Sequence, residues 1–204
     1  MRIITIGIVD YGGANHASVT HSLLNLGFRV RITKDTAELD LVDAIVLPGV
    51  GAFPVAMRAL HEQGLVTYLQ EQARLQRPLV GICLGMQLLA SASYEYEYTF
   101  GLDLIPGEIV PFTDHGVHIG WNTLECTQDD PLLISSGQQA FYFNHSFYYE
   151  GPTEYKVALT RRSYAFAAAI RRDNVAGLQF HPEKSQTAGK ALLKNLLEGL
   201  LVDA

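Results

Sequence analysis

In the first half of the chain, continuous apolar runs alternate with stretches whose apolar residues have the spacing of a helix. Continuous apolar runs are typical of strands buried on both faces of a parallel sheet. They predict strands over residues 3–9, 28–33, 44–47 and 78–83. Residues 17–26 and 53–76 show the apolar spacing of helices, and the second stretch divides near Gly64. This alternation predicts a mostly parallel sheet that helices cover on both faces.

The second half of the chain has shorter apolar runs and more aromatic residues, which predict antiparallel or mixed strands beyond Leu102. Asp173-Asn174 separates the runs 165–171 and 175–180 and predicts the turn of a hairpin. A closing helix is predicted to pack one apolar stripe on the sheet. Its stripe consists of Leu192, Leu193, Leu196, Leu197, Leu200 and Leu201. We therefore expect an α/β fold, with a mixed, mostly parallel sheet flanked by helices and an antiparallel extension, in one domain over residues 1–204.

Composition and charge narrow the range of functions. The chain has 204 residues, of which 48% are hydrophobic, and a net charge of −6. This size and apolar content suit one compact core. Basic residues cluster no further than the pairs Arg161-Arg162 and Arg171-Arg172. Neither nucleic acid nor an anionic membrane is therefore expected as a partner.

Targeting and redox signals favour the cytoplasm. The chain begins directly with a predicted strand, without the charged lead and long apolar core of a signal peptide, and no apolar run approaches membrane-spanning length. Cys83 and Cys126 are not expected to pair, which is typical of a reducing compartment. The scattered histidines match no metal-site spacing, so no metal or other cofactor is expected.

One cysteine lies where a predicted strand runs directly into a helix. Residues 78–87 read PLVGICLGMQ and place Cys83 between two nearby glycines. A side chain on such a turn stands clear of the sheet edge, and the first amides of the following helix favour its thiolate. A buried core cysteine is the ordinary alternative, but it needs no flanking glycines. Cys83 is therefore predicted to be a nucleophile.

A second predicted strand delivers a proton carrier to the same kind of edge. Residues 176–185 read AGLQFHPEKS, so His181 follows an apolar run and Glu183 comes two positions later. Thiol, imidazole and carboxylate are the groups of a nucleophile, a general acid–base and an orienting anion. A structural histidine beside a turn proline is the alternative for His181. The histidine turn and the cysteine elbow together favour catalysis.

These motifs resemble those of the class I, or triad, glutamine amidotransferases. The resemblance rests on GICLGMQ at residues 81–87 and on His181-Pro182-Glu183. Four further motifs are similar to those of the glutaminase subunit of imidazole glycerol phosphate synthase: PGVGAF at 48–53, HIGWN at 118–122, FYFNHS at 141–146 and KSQ at 184–186. The similarity covers nearly the whole chain and implies the amidotransferase fold and glutaminase activity.

The resemblance implies a role for each matching residue. Cys83 would attack the side-chain amide of L-glutamine, His181 would transfer protons, and Glu183 would orient the imidazole. Backbone amides must stabilise the oxyanion, and the sequence places those of Leu84 and of the glycine loop well for this. The residues implied to bind substrate are Gly49, Val50, Gly51, Leu84, Gln87, His145, Ser146 and Phe147. A simple strand-ending turn is the alternative for the glycine loop, and a solvent-facing or capping helix residue is the alternative for Gln87.

The ammonia that such an enzyme releases needs an acceptor on another polypeptide, because the chain is too short to hold a synthase barrel as well. The resemblance implies a heterodimer with a separate (β/α)₈-barrel cyclase. That subunit would make imidazole glycerol phosphate and aminoimidazole carboxamide ribotide in histidine biosynthesis. Asn15 and Lys184 match family positions that face this partner. A helix N-cap and a solvated lysine are their alternatives.

Departures from the family pattern keep other functions open. Ala14 stands where the family usually has glycine, and Val117 stands where it has proline. A paralogue that supplies ammonia to another synthase, such as a sugar-amidating enzyme, fits these departures. Further alternatives are an elbow-cysteine hydrolase acting on another substrate and a non-catalytic regulatory subunit. Gln87 argues against the first, and the complete triad argues against the second.

Overall fold

The computed structural model describes residues 3–12, 16–113, 116–127 and 139–203. Asn15, predicted to face a partner, lies outside these residues, as does the Ala14 departure. The helices are α1 His16–Asn25, α2 Thr36–Leu39, α3 Phe53–Glu62, α4 Leu65–Arg74, α5 Leu84–Leu88 and α6 Gln186–Asp203. Short 3₁₀ helices cover Thr153–Tyr155 and Pro182–Lys184. The strands are β1 Thr5–Val9, β2 Arg29–Thr33, β3 Ala44–Gly49, β4 Leu79–Cys83, β5 Ala92–Ser93, β6 Thr99–Phe100, β7 Glu108–Pro111, β8 His118–Thr123, β9 Glu125–Cys126, β10 Ala140–His145, β11 Phe147–Glu150, β12 Lys156–Arg161, β13 Ala165–Arg172 and β14 Val175–Leu178.

The largest sheet of the described chain has eight strands in the order β2-β1-β3-β4-β14-β13-β12-β9. From β2 to β14 each strand runs parallel to its neighbour. Strands β13, β12 and β9 extend the sheet by antiparallel pairing. The predicted fold class, a mixed and mostly parallel α/β sheet with an antiparallel extension, is confirmed.

Side chains of the central strands alternate between two apolar cores, one on each face of the sheet. In β3, Ala44 and Val46 contact the core that includes residues of α1 and α6. Ile45 and Leu47 contact the core that includes residues of α3 and α4. This alternation follows from the two-residue period of a strand. Each fully buried leucine or isoleucine contributes roughly 1.5–3 kcal/mol, so both faces of the sheet stabilise the fold.

The closing helix α6 packs its apolar stripe on the first of these cores, as predicted. The buried leucines of this helix are Leu192, Leu193, Leu196, Leu197 and Leu200. Leu201 lies at the edge of the same stripe and is partly buried. Within the residues that the structure describes, no helix is both long and apolar enough to cross a membrane.

Two smaller sheets, β10-β8 and β11-β7-β5-β6, lie beside the main one. Strand β10 meets the chain beyond β14 in an isolated bridge, where the His181 N–H donates to the Tyr142 carbonyl over 2.8 Å. The corner between β10 and β11 also approaches the end of β4, because the Cys83 thiol lies 3.9 Å from the Asn144 carbonyl oxygen. The small sheets therefore bring residues 144–147 to the carboxyl edge of the main sheet.

The predicted hairpin is confirmed, whereas a second one was missed. Strands β13 and β14 pair antiparallel on either side of Asp173, whose φ of 52° suits the tight turn. Strands β5 and β6 form a further antiparallel pair that sequence analysis did not predict. Each has only two residues, which is too short for a periodic apolar signal. The missed segment carries Glu95, which becomes important in the site.

The turn between β4 and α5 depends on direct backbone contact. A Cβ atom on Gly85 would lie 1.8 Å from the carbonyl oxygen of Leu47 in β3. A Cβ atom on Gly81 would lie 2.5 Å from the carbonyl oxygen of Gly85. Neither neighbour is a side chain that could rotate away. Both glycines are therefore required for α5 to begin directly after Cys83.

We expect Gly85→Ala to lower the free energy of unfolding by about 3 kcal/mol or more, because overpacking against backbone forces strands apart. Gly64→Ala is the matched control, since no heavy atom lies within 4 Å of its Cβ position and only its φ of 68° is strained. That control should lose about 1–2 kcal/mol. Urea unfolding followed by circular dichroism measures both, and equal losses would contradict the packing argument.

Candidate active site

Cys83 occupies a strained position at the end of β4. Its φ of 56° and ψ of −112° lie outside the regions that ordinary residues favour, and such strain costs roughly 1–3 kcal/mol. The strain turns the chain sharply from strand to helix, so the thiol stands at the carboxyl edge of the sheet. Gly49 pairs with Cys83 across β3 and β4. The elbow predicted from the sequence is therefore formed.

His181 and Glu183 are held by the 3₁₀ turn that follows β14. The imidazole Nδ1 lies 2.8 Å from Glu183 Oε1, and both side chains are almost fully buried. Because a carboxylate only accepts, Nδ1 carries the hydrogen. The Cys83 side chain and the imidazole line the same cavity, and their interaction raises the pKa of His181. Cys83, His181 and Glu183 therefore follow one another in a single line of interacting side chains, which we call the catalytic line.

The electrostatics of this line favour a charged imidazole. Burial lowers the pKa of His181, but hydrogen bonds with Cys83 and Glu183, together with the negative charges of both groups, raise it to about 9. At neutral pH the imidazole is therefore mostly protonated. Such an imidazolium stabilises a neighbouring thiolate and holds a proton ready to donate.

A cavity of about 320 Å³ opens beside Cys83 and His181. Ligand pockets for small molecules span roughly 300–1,000 Å³, so this one suits a single amino acid. The predicted residues that line it are Val50, Gly51, Cys83, Leu84, Gln87, His145, Ser146, Phe147, His181 and Lys184. Glu183 lies behind His181, and Gly49 and Glu183 line a smaller adjoining cavity. The structure thus brings together every predicted site residue that it describes.

The side chains of Gln87 and His145, both predicted to bind substrate, form hydrogen bonds with other protein groups. The Gln87 side-chain amide donates to the Phe147 carbonyl over 3.0 Å and to Gln179 Oε1 over 3.1 Å. Its NH₂ group is therefore committed to the protein, and it does not face solvent. His145 is buried and donates from Nδ1 to the Phe147 carbonyl over 2.8 Å. Both side chains hold the wall of the cavity.

Sequence reasoning missed Glu95 and Tyr96, which line the cavity together with Asn144 of the motif at residues 141–146. Glu95 is the notable one, because it is a nearly buried carboxylate that accepts a hydrogen bond from the Phe53 N–H over 2.8 Å. Burial raises the pKa of Glu95 above its ordinary value, and the hydrogen bond from the Phe53 N–H offsets only part of this rise. No motif marked this residue, since its segment has only the two-residue strands β5 and β6 around it. Among the described residues, no group of three or more His, Cys, Asp or Glu could hold a metal ion.

A family profile described as glutamine amidotransferase class-I matches residues 7–200. The chain belongs to this family. Curated relatives narrow the assignment. The HisH subunit of imidazole glycerol phosphate synthase from Carboxydothermus hydrogenoformans is 45% identical over 196 residues, which is 95% of this chain and 98% of the relative. The HisH subunit from Lacticaseibacillus casei is 44% identical over 197 residues, 95% of each chain.

Within the class-I amidotransferases, the chain belongs with these HisH subunits, and the resemblance inferred from its motifs is confirmed. It is thus an amidotransferase enzyme. Solved structures support the amidotransferase fold at lower identity. A glutamine amidotransferase from Thermotoga maritima is 16% identical with a TM-score of 0.73, covering 98% of this chain and 99% of its own. PurLQS from the same organism is 20% identical with a TM-score of 0.78, covering 98% and 100%.

Replacing the thiol tests the connected line directly. Cys83→Ala removes the hydrogen bond and the thiolate charge that raise the pKa of His181. We therefore expect His181 to titrate below its value of about 9 in the variant. Histidine ¹H–¹⁵N NMR titration measures this, with exposed Cys126 as the site of a matched control, Cys126→Ala. An unchanged pKa in Cys83→Ala would show that the thiolate does not act on this imidazole.

Proposed function

We propose that the chain is the glutaminase subunit of imidazole glycerol phosphate synthase. It hydrolyses L-glutamine with Cys83, His181 and Glu183 and passes ammonia to a separate cyclase subunit. The observation that carries the proposal is the buried line from thiol to imidazole to carboxylate beside a cavity of amino-acid size. The 45% identity to a HisH subunit supports the choice of pathway.

In the first half of the reaction, the Cys83 thiolate attacks the side-chain amide carbon of glutamine. The carbonyl π electrons move to oxygen and form a tetrahedral oxyanion. His181, protonated at neutral pH because of its raised pKa, gives its proton to the amide nitrogen as the carbon–nitrogen bond breaks. Ammonia leaves, and a glutamyl thioester remains on Cys83.

In the second half, the now neutral His181 takes a proton from water as its oxygen attacks the thioester carbon. A second oxyanion forms and collapses, which expels the thiolate and releases glutamate. Glu183 keeps the hydrogen of His181 on Nδ1, so that Nε2 remains the atom that exchanges protons. The imidazolium and thiolate are thereby restored together.

Backbone amides of Leu84 and of the loop Gly49-Val50-Gly51 stabilise both oxyanions in this proposal. The loop lies against the elbow, since a Cβ atom on Gly49 would be 2.8 Å from the Gly85 amide nitrogen. Gly51 adopts a φ of 100°, which only glycine takes without strain. Each such donor contributes on the order of 3 kcal/mol to the transition state.

Glu95 receives the α-ammonium group of glutamine in this proposal. Its carboxylate lines the same cavity as Cys83, and a bound ammonium would favour the charged form that burial opposes. The main chain of Ser146 and Phe147 forms the facing wall and binds the other end of the amino acid. Gln87 supports this wall through the Phe147 carbonyl.

The cyclase docks on an exposed apolar surface beside the cavity. Ile119 and Trp121 are 63% and 50% exposed, and they project from the same face of β8. Trp121 contacts the ring of Tyr142, and the Lys184 ammonium lies 5.9 Å from the centre of that ring. Exposed aromatic and apolar residues of this kind are typical of interfaces. We propose that the partner is a (β/α)₈ barrel and that the complex is a heterodimer, with Asn15 and Lys184 at its interface.

The remaining expectations form part of the same proposal. The chain acts as one glutaminase domain over residues 1–204 and works in the cytoplasm. Cys83 and Cys126 are both thiols, which supports a reducing compartment. The cyclase uses the ammonia to form imidazole glycerol phosphate and aminoimidazole carboxamide ribotide.

The decisive experiment separates ammonia release from ammonia use. In complex with its cyclase, Cys83→Ala should make no product from glutamine, because no thioester can form. It should still make product from ammonium salts at alkaline pH, where free NH₃ is abundant. Product formation is measured with each nitrogen source, and size-exclusion chromatography checks that the complex forms.

Exposed Cys126 again supplies the matched control, since Cys126→Ala should use both nitrogen sources as the wild type does. Substantial glutamine-dependent synthesis by Cys83→Ala would sink the proposed chemistry. If the wild type released ammonia from glutamine but the cyclase made no product from any source, the choice of pathway would be wrong instead.

Glu95→Gln tests the ammonium contact separately. The amide still accepts from the Phe53 N–H, so the local fold is preserved, but the negative charge is lost. We expect the KM for glutamine to rise about tenfold or more, the effect of removing one charged hydrogen bond. Alkylation of Cys83 by iodoacetamide, which has no amino group, should proceed at the wild-type rate. An unchanged KM would rule out Glu95 as the ammonium partner.

A further inference from the structure

Two histidines outside the catalytic line form a hydrogen-bonded pair, in which His145 lines the cavity and His118 lies behind it. His118 Nδ1 lies 3.1 Å from His145 Nε2. His145 Nδ1 lies 2.8 Å from the Phe147 carbonyl oxygen. At the other end, Asn122 Nδ2 lies 3.4 Å from His118 Nε2 and also donates to the Arg161 carbonyl over 2.6 Å. A continuous chain of hydrogen bonds therefore links β8 to the corner between β10 and β11.

The position of every hydrogen in this chain follows from its two ends. A carbonyl oxygen only accepts, so His145 Nδ1 must carry a hydrogen. Neutral His145 then accepts at Nε2, which requires His118 to donate from Nδ1. His118 accepts at Nε2 in turn, from the Asn122 amide. Both imidazoles are thus neutral Nδ1–H tautomers, and both point their donors towards Phe147.

The Phe147 carbonyl receives a second donor on the cavity side. Gln87 Nε2 of α5 donates to this carbonyl over 3.0 Å, and His145 Nδ1 donates to it as well. Both lone pairs of the Phe147 carbonyl oxygen are therefore used. The Phe112 N–H donates to the Ser146 carbonyl, and Phe147 faces Pro111 across β11 and β7. Phe147 therefore occupies a non-hydrogen-bonded position of the antiparallel pair, where its N–H and C=O both point away from β7. The orientation of this peptide group is set from outside the sheet.

The surroundings keep the pair neutral. Both imidazoles are buried against the rings of Phe143 and Phe166, and His145 also contacts Phe112. Burial lowers the pKa of His118 to about 4, and the charge of Arg162 acts in the same direction. Burial lowers the pKa of His145 to about 3, although its hydrogen bond to the Phe147 carbonyl opposes this. The nearby charges of His181 and Arg162 lower it further, and a charge on His118 would do the same.

We propose that His118 and His145 are positioning residues for glutamine, which act by fixing the Phe147 peptide group that forms one wall of the binding cavity. The inference rests on the glutaminase function proposed above and adds two side chains to it. Neither residue exchanges protons with substrate, because both ring nitrogens of each are already used within the chain. Loss of the pair therefore affects binding of the amino acid and leaves the chemistry at Cys83 intact.

The first experiment tests the hydrogen-bond chain in the wild-type protein, without any variant. Long-range ¹H–¹⁵N NMR correlation distinguishes the two neutral tautomers from each other and from imidazolium. We expect His118 and His145 to be Nδ1–H tautomers at pH 7 and to remain neutral at pH 5.5. An Nε2–H tautomer at His145 would overturn the proposal, because its Nδ1 could not donate to the Phe147 carbonyl. An imidazolium at His145 would also overturn it, because its Nε2 could not accept the hydrogen bond from His118.

The second experiment measures binding and chemistry separately at the active site. A diazo-ketone analogue of glutamine inactivates through Cys83, and its kinetics give a binding constant KI and a maximal rate kinact. His145→Leu should raise KI about tenfold, the effect expected from losing a hydrogen bond to a buried carbonyl, with kinact within about threefold of wild type. His118→Phe keeps a ring but removes the donor, and it should raise KI by a smaller factor.

Two further variants separate positioning from packing. His145→Asn places an amide nitrogen near the position of Nδ1, so it should restore most of the affinity lost in His145→Leu. Phe166→Leu loosens the packing, since this ring lies 5.4 Å and 5.5 Å from the two imidazoles, but it touches no hydrogen bond of the chain. It should lower the Tm while KI stays near the wild-type value.

The outcomes distinguish this proposal from the proposed function. If the analogue does not modify Cys83 in the wild type, the glutaminase proposal fails, whatever the tautomers are. If the wild type is modified but His145→Leu lowers kinact and leaves KI unchanged, the positioning role is wrong. Equal effects of His145→Leu and Phe166→Leu on KI would also contradict it, because packing alone would then explain the loss.

Discussion

The structure depends on the contact of one backbone with another at the elbow. Gly85 lies so close to the Leu47 carbonyl that no side chain fits between them. This contact presses the first turn of α5 against β3 and forces Cys83 into its strained conformation. Because Gly49 pairs with Cys83 in the same two strands, the cysteine and the glycine loop share one rigid support. The distance between the Cys83 sulfur and the backbone amides of this loop is therefore governed by the main chain.

Three imidazoles lie near one sheet edge, and their partners give them different charges. His181 is positively charged at neutral pH, whereas His118 and His145 are neutral. His181 faces a carboxylate and a thiol, so its pKa rises to about 9 despite burial. His145 faces a carbonyl and another neutral imidazole, so nothing offsets its burial fully and its pKa falls to about 3. The charge on His181 itself discourages a second charge next to it. Residue type alone does not reveal this division, because it depends on which acceptor each Nδ1 meets.

The fold and the proximity of Cys83, His181 and Glu183 could be predicted from the sequence because their signals are local. Apolar runs marked the buried strands, and the glycines around Cys83 marked a turn whose geometry excludes side chains. The site wall was harder to predict. Glu95 lies on a segment without periodic pattern, and its place in the cavity wall becomes visible only in the structure, where β5 and β6 flank it. The contact between His118 and His145 was not predictable for a similar reason. They are 27 residues apart in sequence, and only the pairing of β8 with β10 brings them together.

Strand β8 has a different surface on each of its two faces. Ile119 and Trp121 are exposed, whereas His118 and Asn122 belong to the hydrogen-bond chain that ends at Phe147. The two-residue period of a strand ties these faces together, because insertion or deletion of a single residue exchanges them. Such a change would bury the tryptophan and expose the histidine in one step. The strand therefore accepts substitutions on one face at a time, whereas a change in its length alters both faces at once.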